Sequence, residues 1–374
     1  MKQCEITNEE LLRQTIDYLR FPLIVGVVFI HNNIGSFTIQ GNEVDYGELW
    51  PWVGYVVYFF SKVLPSVSVP LFFFISGFLF YYNVDFCIDV YKQKIKRRCN
   101  TLLIPYLIWN FVGFIILLIQ MHPRFMTLFP LLQDYRIDIT EFLSYFYGKN
   151  LPMDPPDDAA APIDYPLWFV RDLMVLVLAS PIIYWGIKRC KFFFVAGLGV
   201  VWLFQLLNYI GLPFECNKSI FFFPLGAYFS INRLNFVEIF NESWWSPFLF
   251  ALLAIVNTLS YAGLIPFLNN YLRPFNLFVG MIASVYLISF LIRKNKIHIN
   301  KFLSNASFFV FAAHGLFISK YMKVIIMVVQ PSNPFVVIFL YFFVTISSIF
   351  ICLGIYRILN NKIPLVAQLL TGGR

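Results

Sequence analysis

The apolar run 53–82 constrains the fold more strongly than any other stretch of this sequence. It carries one charged residue, Lys62, and is longer than the ~20 residues that an α-helix needs to cross a bilayer. Two prolines interrupt the run, so we predict a broken helix whose second half, 69–82, is tightly packed. Gly77 in that half has no side chain and permits the close approach of a second helix.

Similar apolar segments recur along the chain and predict about ten transmembrane helices. Hydrophobic residues make up 59% of the 374 residues and charged residues 13%, about half the ~25% that is typical of soluble domains. We therefore predict an all-α, polytopic membrane helical bundle that forms a single domain over residues 1–374. The predicted spans are 18–36, 53–82, 102–121, 167–187, 192–210, 219–231, 244–263, 274–292, 305–325 and 335–356.

The distribution of basic residues predicts the orientation of these spans. Nineteen of the 28 Lys and Arg residues lie in the two terminal segments and in every second connection between the predicted spans, which all face one side of the membrane. The densest group lies in the segment 83–101. The positive-inside rule then places both termini and this basic loop in the cytoplasm. The acidic segment 122–166 is predicted to be an extracytoplasmic loop. Thr7 and Glu10 form a capping box, which predicts that a helix begins there and runs into the first span.

Composition also excludes several kinds of partner. The net charge of +8 comes from basic residues at the ends of apolar segments, so we expect no nucleic-acid partner. The six cysteines contain no CxxC pair and the four histidines no HxxxH pair. We therefore expect no metal site and no disulfide framework.

Arg20 and His31 are the first candidates for chemistry, because both lie within one predicted helix. Eleven helical steps raise His31 by roughly 16 Å and turn the helix by about three turns plus 20°, so the two side chains share one face. An ionisable residue within a membrane span generally marks a functional site, and histidine is suited to general acid–base catalysis. The alternative is a histidine that is hydrogen-bonded to a neighbouring helix. Asn32 follows His31 and is a candidate to bind the imidazole or a substrate.

The basic cluster contains Lys94, Arg97 and Arg98 and has two interpretations. It is either an orientation signal or a binding site for a phosphate-rich cytosolic ligand, since guanidinium groups form paired hydrogen bonds to phosphate oxygens.

The remaining candidates are Trp168, Arg171, Asp172 and His314. Trp168 is either an interfacial anchor or a substrate-binding residue, and it neighbours Arg171 on a helix surface. Arg171 and Asp172 are either a solvated pair or an inward-facing pair that positions His31 or a sugar hydroxyl. His314 lies in a later span, where it either forms a packing hydrogen bond or binds substrate.

Six short motifs follow one another along the chain. They are R-x10-H (20–31), V-P-L-F-F-F-I-S-G-F-L-F (69–80), L-I-P-Y-L-I-W (103–109), P-L-W-F-V-R-D-L (166–173), F-F-F-P-L-G-A-Y (221–228) and S-F-F-V-F-A-A-H (307–314). No single motif is specific, but the ordered set covers nearly the whole chain. In this order the motifs resemble the acyltransferase-3 family of bacterial membrane proteins, in particular members of the intercellular-adhesion type that act on surface polysaccharides.

The resemblance implies an enzyme that transfers an acyl group, usually acetyl from acetyl-CoA, to a hydroxyl of a surface or lipid-linked carbohydrate. It implies that His31 is catalytic, that Arg20 is its motif partner, and that the basic loop meets the coenzyme. Acyl-CoA is then a donor substrate, and no cofactor is bound permanently. The implied location is the bacterial cytoplasmic (inner) membrane, with acyl-CoA, a carbohydrate acceptor and the bilayer as partners and a homodimer as a possible assembly.

Two other functions fit the same pattern. A glycan transporter or flippase would use Arg20, His31 and His314 to line a translocation path without chemistry. A non-catalytic partner of a polysaccharide synthase would need none of them. Acetyl transfer or thioester hydrolysis by the purified protein distinguishes the enzyme from both.

Overall fold

The computed structural model describes residues 6–32, 34, 36–39, 42–123, 137, 142–148, 161–207, 216–263 and 269–373. These residues are mainly helical, which confirms the prediction of an all-α polytopic protein. One short antiparallel hairpin, which the sequence did not predict, joins two strands between the first two predicted spans. The chain divides into two compact units: unit 1 comprises Met1–Ile75 and Phe229–Gly354, and unit 2 comprises Ser76–Tyr228 and Ile355–Arg374.

Unit 1 is built around its first helix, Asn8–His31, which packs against the helices Asn269–Arg293 and Lys301–Gly315, while the helix Ser246–Tyr261 packs against Asn269–Arg293. The side chain of Thr7 accepts a hydrogen bond from the backbone N–H of Glu10, so the predicted capping interaction is confirmed. Unit 1 contains α1 (Asn8–His31), β1 (Ser36–Ile39), β2 (Asn42–Asp45), α2 (Tyr46–Leu49), α3 (Pro51–Tyr58), α12 (Phe236–Phe240), α13 (Ser246–Tyr261), α14 (Asn269–Arg293), α15 (Lys301–Gly315) and α16 (Ile318–Val329).

The helices that lie wholly in unit 2 are α5 (Ile88–Arg98), α6 (Ile104–Gln120), α7 (Ser144–Tyr147), α8 (Trp168–Leu178), α9 (Ser180–Cys190), α10 (Phe192–Leu203) and α18 (Pro364–Thr371). Helix α18 packs against α6. Three further helices, α4 (Ser68–Tyr81), α11 (Cys216–Ile231) and α17 (Pro334–Lys362), pass from one unit to the other, and most of α17 lies in unit 1.

The broken helix predicted over 53–82 is confirmed. Helix α3 passes into a π-helical turn at Phe59–Val63 and then a 3₁₀ turn at Leu64–Val67 before α4 begins. The 3₁₀ turn contains Pro65, and Pro70 lies in the first turn of α4, where a missing N–H donor is tolerated. The predicted close approach at Gly77 is also present, since a methyl group there would overlap the carbonyl oxygen of Phe223 on α11.

Four helices among the described residues are long and apolar enough to cross a membrane, or six if each of two bent pairs is counted as one span. The four are Pro51–Tyr81, Ile88–Gln120, Leu272–Arg293 and Pro334–Lys362. The bent pairs are α8 with α9, at 60°, and α15 with α16, at 58°, where the sequence predicted two uninterrupted spans. The other predicted spans correspond to α1 and to the shorter apolar helices α10, α11 and α13.

Two predicted boundaries were wrong. The first span was expected to reach residue 36, but α1 ends at His31, because Asn32 adopts an extended backbone and caps the helix. The basic segment expected to be a loop over 83–101 is mostly helical: α5 continues into α6 through the π-helical turn Cys99–Leu103. Most of the predicted acidic loop 122–166 lies outside the described residues.

Candidate functional site

The two histidines of the predicted membrane spans lie together in unit 1. His31, the last residue of α1, and His314, one residue before the end of α15, are joined by a contact of 3.0 Å between His31 Nδ1 and His314 Nε2. Their ring centroids are 5.1 Å apart. A distance of 3.0 Å between ring nitrogens is that of a hydrogen bond, so one ring donates and the other accepts.

The surroundings of His314 decide which ring donates. His314 Nδ1 lies 2.9 Å from the backbone carbonyl oxygen of Val310, one turn earlier on α15. A carbonyl oxygen only accepts, so Nδ1 of His314 carries a proton and, in the neutral ring, Nε2 carries the lone pair. His31 must therefore donate from Nδ1, and its own lone pair is on Nε2. The helix backbone thus sets the tautomer of both rings, as hydrogen bonds to a second ring nitrogen generally do.

The two rings differ in their exposure. His314 is completely buried, whereas His31 is half-buried. His31 is therefore the more exposed member of the pair, and His314 lies behind it.

Asn32 anchors the end of α1 to α17. Its side-chain nitrogen donates to the carbonyl oxygen of Tyr341 at 2.9 Å and to Oγ1 of Thr345 at 2.7 Å. Its backbone carbonyl accepts a hydrogen bond of 3.4 Å from Ser61, whose hydroxyl also lies 2.5 Å from the Tyr341 hydroxyl. Asn32 is fully buried. These contacts fix the backbone directly after His31 and so fix where its imidazole lies.

Arg20 does not join this group. It lies on α1 as predicted, but eleven residues of helix separate it from His31 by about 16 Å. Its guanidinium pairs with Asp17, at 3.3 Å, and is 40% exposed. A catalytic role for Arg20 stays a prediction.

The predicted coenzyme-binding residues share one face of α5 in unit 2. Lys94, Arg97 and Arg98 stand at positions i, i+3 and i+4, which are neighbours on a helix surface, whereas Lys92 and Lys96 point to the opposite side. The Lys94 ammonium lies over the Phe80 ring, 5.1 Å from its centroid. No salt bridge to these three residues occurs within the described part of the chain. A face with three uncompensated positive charges is suited to an anion.

Arg171 and Asp172 in unit 2 are buried, at 4% and 1% exposure, so the interpretation as a solvated pair was wrong. Arg171 Nε donates to Asp172 Oδ1 at 3.0 Å, and Nη1 donates to the backbone carbonyl of Tyr147 at 2.7 Å. The pair therefore holds α7 against α8. Trp168 begins α8 and is half-buried. Substrate binding by these three residues stays a prediction.

Sequence reasoning missed the pairing of His31 with His314. The two residues are separated by 283 positions, and no local pattern reports which helices become neighbours. The available signal was that both histidines end apolar helical segments. That signal also applies to residues that form unrelated packing contacts, so it could not identify the pair.

Comparison with known proteins identifies the family. The family model described as "Acyltransferase domain" matches residues 13–357. A curated relative, the succinoglycan biosynthesis protein ExoH of Rhizobium meliloti (strain 1021), is 29% identical over 234 residues, which cover 59% of this chain and 54% of the relative. The chain thus spans about half the length of the curated relative it matches. No solved structure matches. The resemblance drawn from the sequence motifs is therefore confirmed, and the chain belongs to the acyltransferase-3 family.

Proposed function

We propose that this protein is a membrane-bound O-acyltransferase that moves an acyl group, in the first instance acetyl, from acyl-CoA to a carbohydrate hydroxyl. The observation that carries the proposal is the His31–His314 hydrogen bond. It gives a substrate-accessible histidine whose lone pair is on Nε2 and whose other nitrogen is held by a buried partner. A fixed tautomer of this kind is what a general base requires.

In the proposed reaction, Nε2 of His31 accepts the proton of the acceptor hydroxyl as its oxygen attacks the thioester carbonyl carbon. The carbon–sulfur bond then breaks, and the departing thiolate takes the proton back from His31. The reaction thus returns His31 to its starting state and yields an ester and free coenzyme. During the first step the positive charge on His31 is stabilised by the hydrogen bond that Nδ1 donates to His314.

The donor site that we propose is the basic face of α5. Lys94, Arg97 and Arg98 would bind the phosphates of the coenzyme, since each guanidinium presents its donors in the fork that fits phosphate oxygens. Acetyl is proposed over longer acyl groups on the strength of the family resemblance alone.

The carbohydrate acceptor is proposed on two grounds. The resemblance is to members that act on surface polysaccharides, and the relative named above is a succinoglycan biosynthesis protein. The structure adds that His31 lies at the end of α1 that is predicted to face away from the cytoplasm, where surface glycans are found. We also propose that the protein resides in the bacterial cytoplasmic membrane.

The test is acyl transfer by purified protein in detergent or nanodiscs, with radiolabelled acetyl-CoA and an oligosaccharide mixture from the native surface glycan. We expect label in the glycan with the wild-type protein and none with His31→Ala at equal membrane yield. His298→Ala is the matched control, because His298 lies in the turn before α15 and outside the pair. Transfer by folded His31→Ala at the wild-type rate would exclude His31 as the base. Movement of the glycan across the membrane of proteoliposomes, without transfer of label, would favour a transporter.

A further inference from the structure

We propose that Tyr58, Asn257, Tyr261 and Arg273, here called the tyrosine–arginine cluster, form a binding subsite for an acidic saccharide. The assignment of that saccharide as the acyl acceptor rests on the proposed function, whereas the binding itself does not. The four residues come from three helices of unit 1, namely α3, α13 and α14, and they contact one another directly.

The two tyrosines form an aromatic platform. The rings of Tyr58 and Tyr261 are parallel to within 2°, with centroids 3.8 Å apart. Tyr58 is 8% exposed and Tyr261 is 48% exposed. Because Tyr58 covers one face of the Tyr261 ring, the exposure of Tyr261 is on its opposite face and edges. The negative face of an aromatic ring attracts partly positive groups, and the C–H face of a sugar ring is such a group.

Arg273 supplies a positive charge beside the platform. Its Nη2 donates to the Tyr58 hydroxyl at 3.1 Å, and that hydroxyl in turn donates to Oδ1 of Asn257 at 3.5 Å. Arg273 is exposed, and a guanidinium has five N–H donors. Within the described part of the chain, the bond to Tyr58 is its one hydrogen bond and it has no carboxylate partner. The remaining donors are arranged to bind a carboxylate with two parallel hydrogen bonds.

The position of Arg273 along the chain argues against an orientation signal. It is the one Lys or Arg between Arg233 and Arg293. In the predicted topology it lies at the outer end of its span, where the positive-inside rule disfavours basic residues. The positive-inside rule therefore does not account for a basic residue at this position, whereas anion binding does.

One buried acceptor close to Arg273 has no hydrogen-bond donor among the described residues. Asn276 follows Arg273 by three residues, so the two side chains are neighbours on α14. It is 1% exposed, and its Oδ1 accepts no hydrogen bond from any described residue. Buried acceptors of this kind are uncommon, because each costs free energy unless a donor is supplied. The described residues therefore leave one acceptor unpaired on α14 beside Arg273.

The cluster is linked to the histidine pair through one helix. Ser61 follows Tyr58 by three residues, and its hydroxyl donates to the backbone carbonyl of Asn32, the residue after His31. The platform and the general base are therefore placed by the same stretch of chain. This arrangement is suited to holding one sugar of an acceptor while a neighbouring hydroxyl is presented to His31.

The test is saccharide binding to the wild-type protein in nanodiscs, without acyl donor, by isothermal titration calorimetry. The probes are an oligogalacturonate and the same oligosaccharide after reduction of its carboxyl groups. We expect the acidic form to bind about ten- to a hundredfold more tightly, as hydrogen bonds to a charged group generally provide. Arg273→Gln should abolish this preference, Arg273→Lys should retain part of it, and Tyr261→Ala should weaken the binding of both forms. Arg233→Gln removes the same charge elsewhere and should change neither.

Equal binding of the two probes to the wild-type protein, or an unchanged preference in folded Arg273→Gln, would overturn the proposal. If Arg273→Gln does not fold, the wild-type protein still provides a test, since the preference for the acidic probe must fall with rising salt. The outcome is independent of acyl transfer, because no donor is present. Acyl transfer without preferential binding of the acidic oligosaccharide would support the proposed function and refute the subsite. Preferential binding without acyl transfer would support the subsite and refute the proposed function.

Discussion

Replacement of His314 by alanine gives the sharpest test of the histidine pair. In the proposed reaction His31 becomes positively charged, and the hydrogen bond from its Nδ1 to Nε2 of His314 becomes charge-assisted. Hydrogen bonds to a charged group contribute about 1.5–3 kcal/mol. At 1.36 kcal/mol for each factor of ten, the loss corresponds to a kcat about 10- to 150-fold lower.

The kinetic parameters separate this role from substrate binding. His314 is completely buried, so its removal should leave the KM values for both substrates within about threefold of wild type. His314→Gln should recover part of the lost rate, because a glutamine oxygen can accept the hydrogen bond near the position of Nε2. His298→Ala, which removes a histidine outside the pair, should have the wild-type kcat.

The assay is the initial rate of acetyl transfer at saturating donor and acceptor, with the melting temperature of each variant as a check of folding. Two results would refute the reasoning. One is a folded His314→Ala protein with a kcat within threefold of wild type. The other is a raised acceptor KM with an unchanged kcat, which would instead support the original expectation that His314 binds substrate.

Three further predictions concern packing, donor binding and orientation. Gly77→Ala should lower stability by about 1–3 kcal/mol, measured as a lower melting temperature, because the added methyl group overlaps the backbone of α11. Gly197→Ala, where the added methyl group meets open space, should not change the melting temperature. Equal melting temperatures for the two variants would contradict the contact at Gly77. Arg98→Ala should weaken acetyl-CoA binding about ten- to a hundredfold at fixed moderate salt, while Lys96→Ala on the opposite side of α5 should have little effect. Equal losses of affinity in the two variants would indicate a general effect of positive charge and no specific site. In a variant whose one cysteine is the exposed Cys99, this thiol should react with a membrane-impermeant reagent only after the cells are permeabilised. Labelling of Cys99 in intact cells would show that the basic segment lies outside the cytoplasm.

Much of the fold followed from the sequence because hydropathy and proline act locally. The apolar run 53–82 predicted the broken helix, and Gly77 predicted a close approach to a second helix, which the structure shows to be α11. Helix ends were predicted less well. Hydropathy reports where the chain is apolar and not where backbone hydrogen bonding stops. The predicted first span, 18–36, therefore ends five residues beyond His31, the last residue of α1.

The candidate site could be predicted only in part. The position of His31 on a helix was visible from spacing, but its partner depended on which helices pack together. The charges of Lys94, Arg97 and Arg98 are visible in the sequence as a cluster, but charge density alone does not distinguish a loop from a helix. Lys, Arg and Gln are good helix formers, and residues 88–98 contain neither glycine nor proline. The basic segment should therefore have been expected to be helical.

The C-terminal helix has a consequence for biosynthesis. The indole of Trp109 on α6 donates to the backbone carbonyl of Leu370, and Gly372, at a φ of 71°, lies against the backbone of Thr101, where a side chain would not fit. At roughly 5–20 residues per second, a ribosome makes Thr101 about 15–55 s before Gly372. The helix that follows the basic face of α5 therefore stays without this partner until Gly372 has been made. A chain that stops before Leu370 would leave this surface uncovered and open to quality-control proteases.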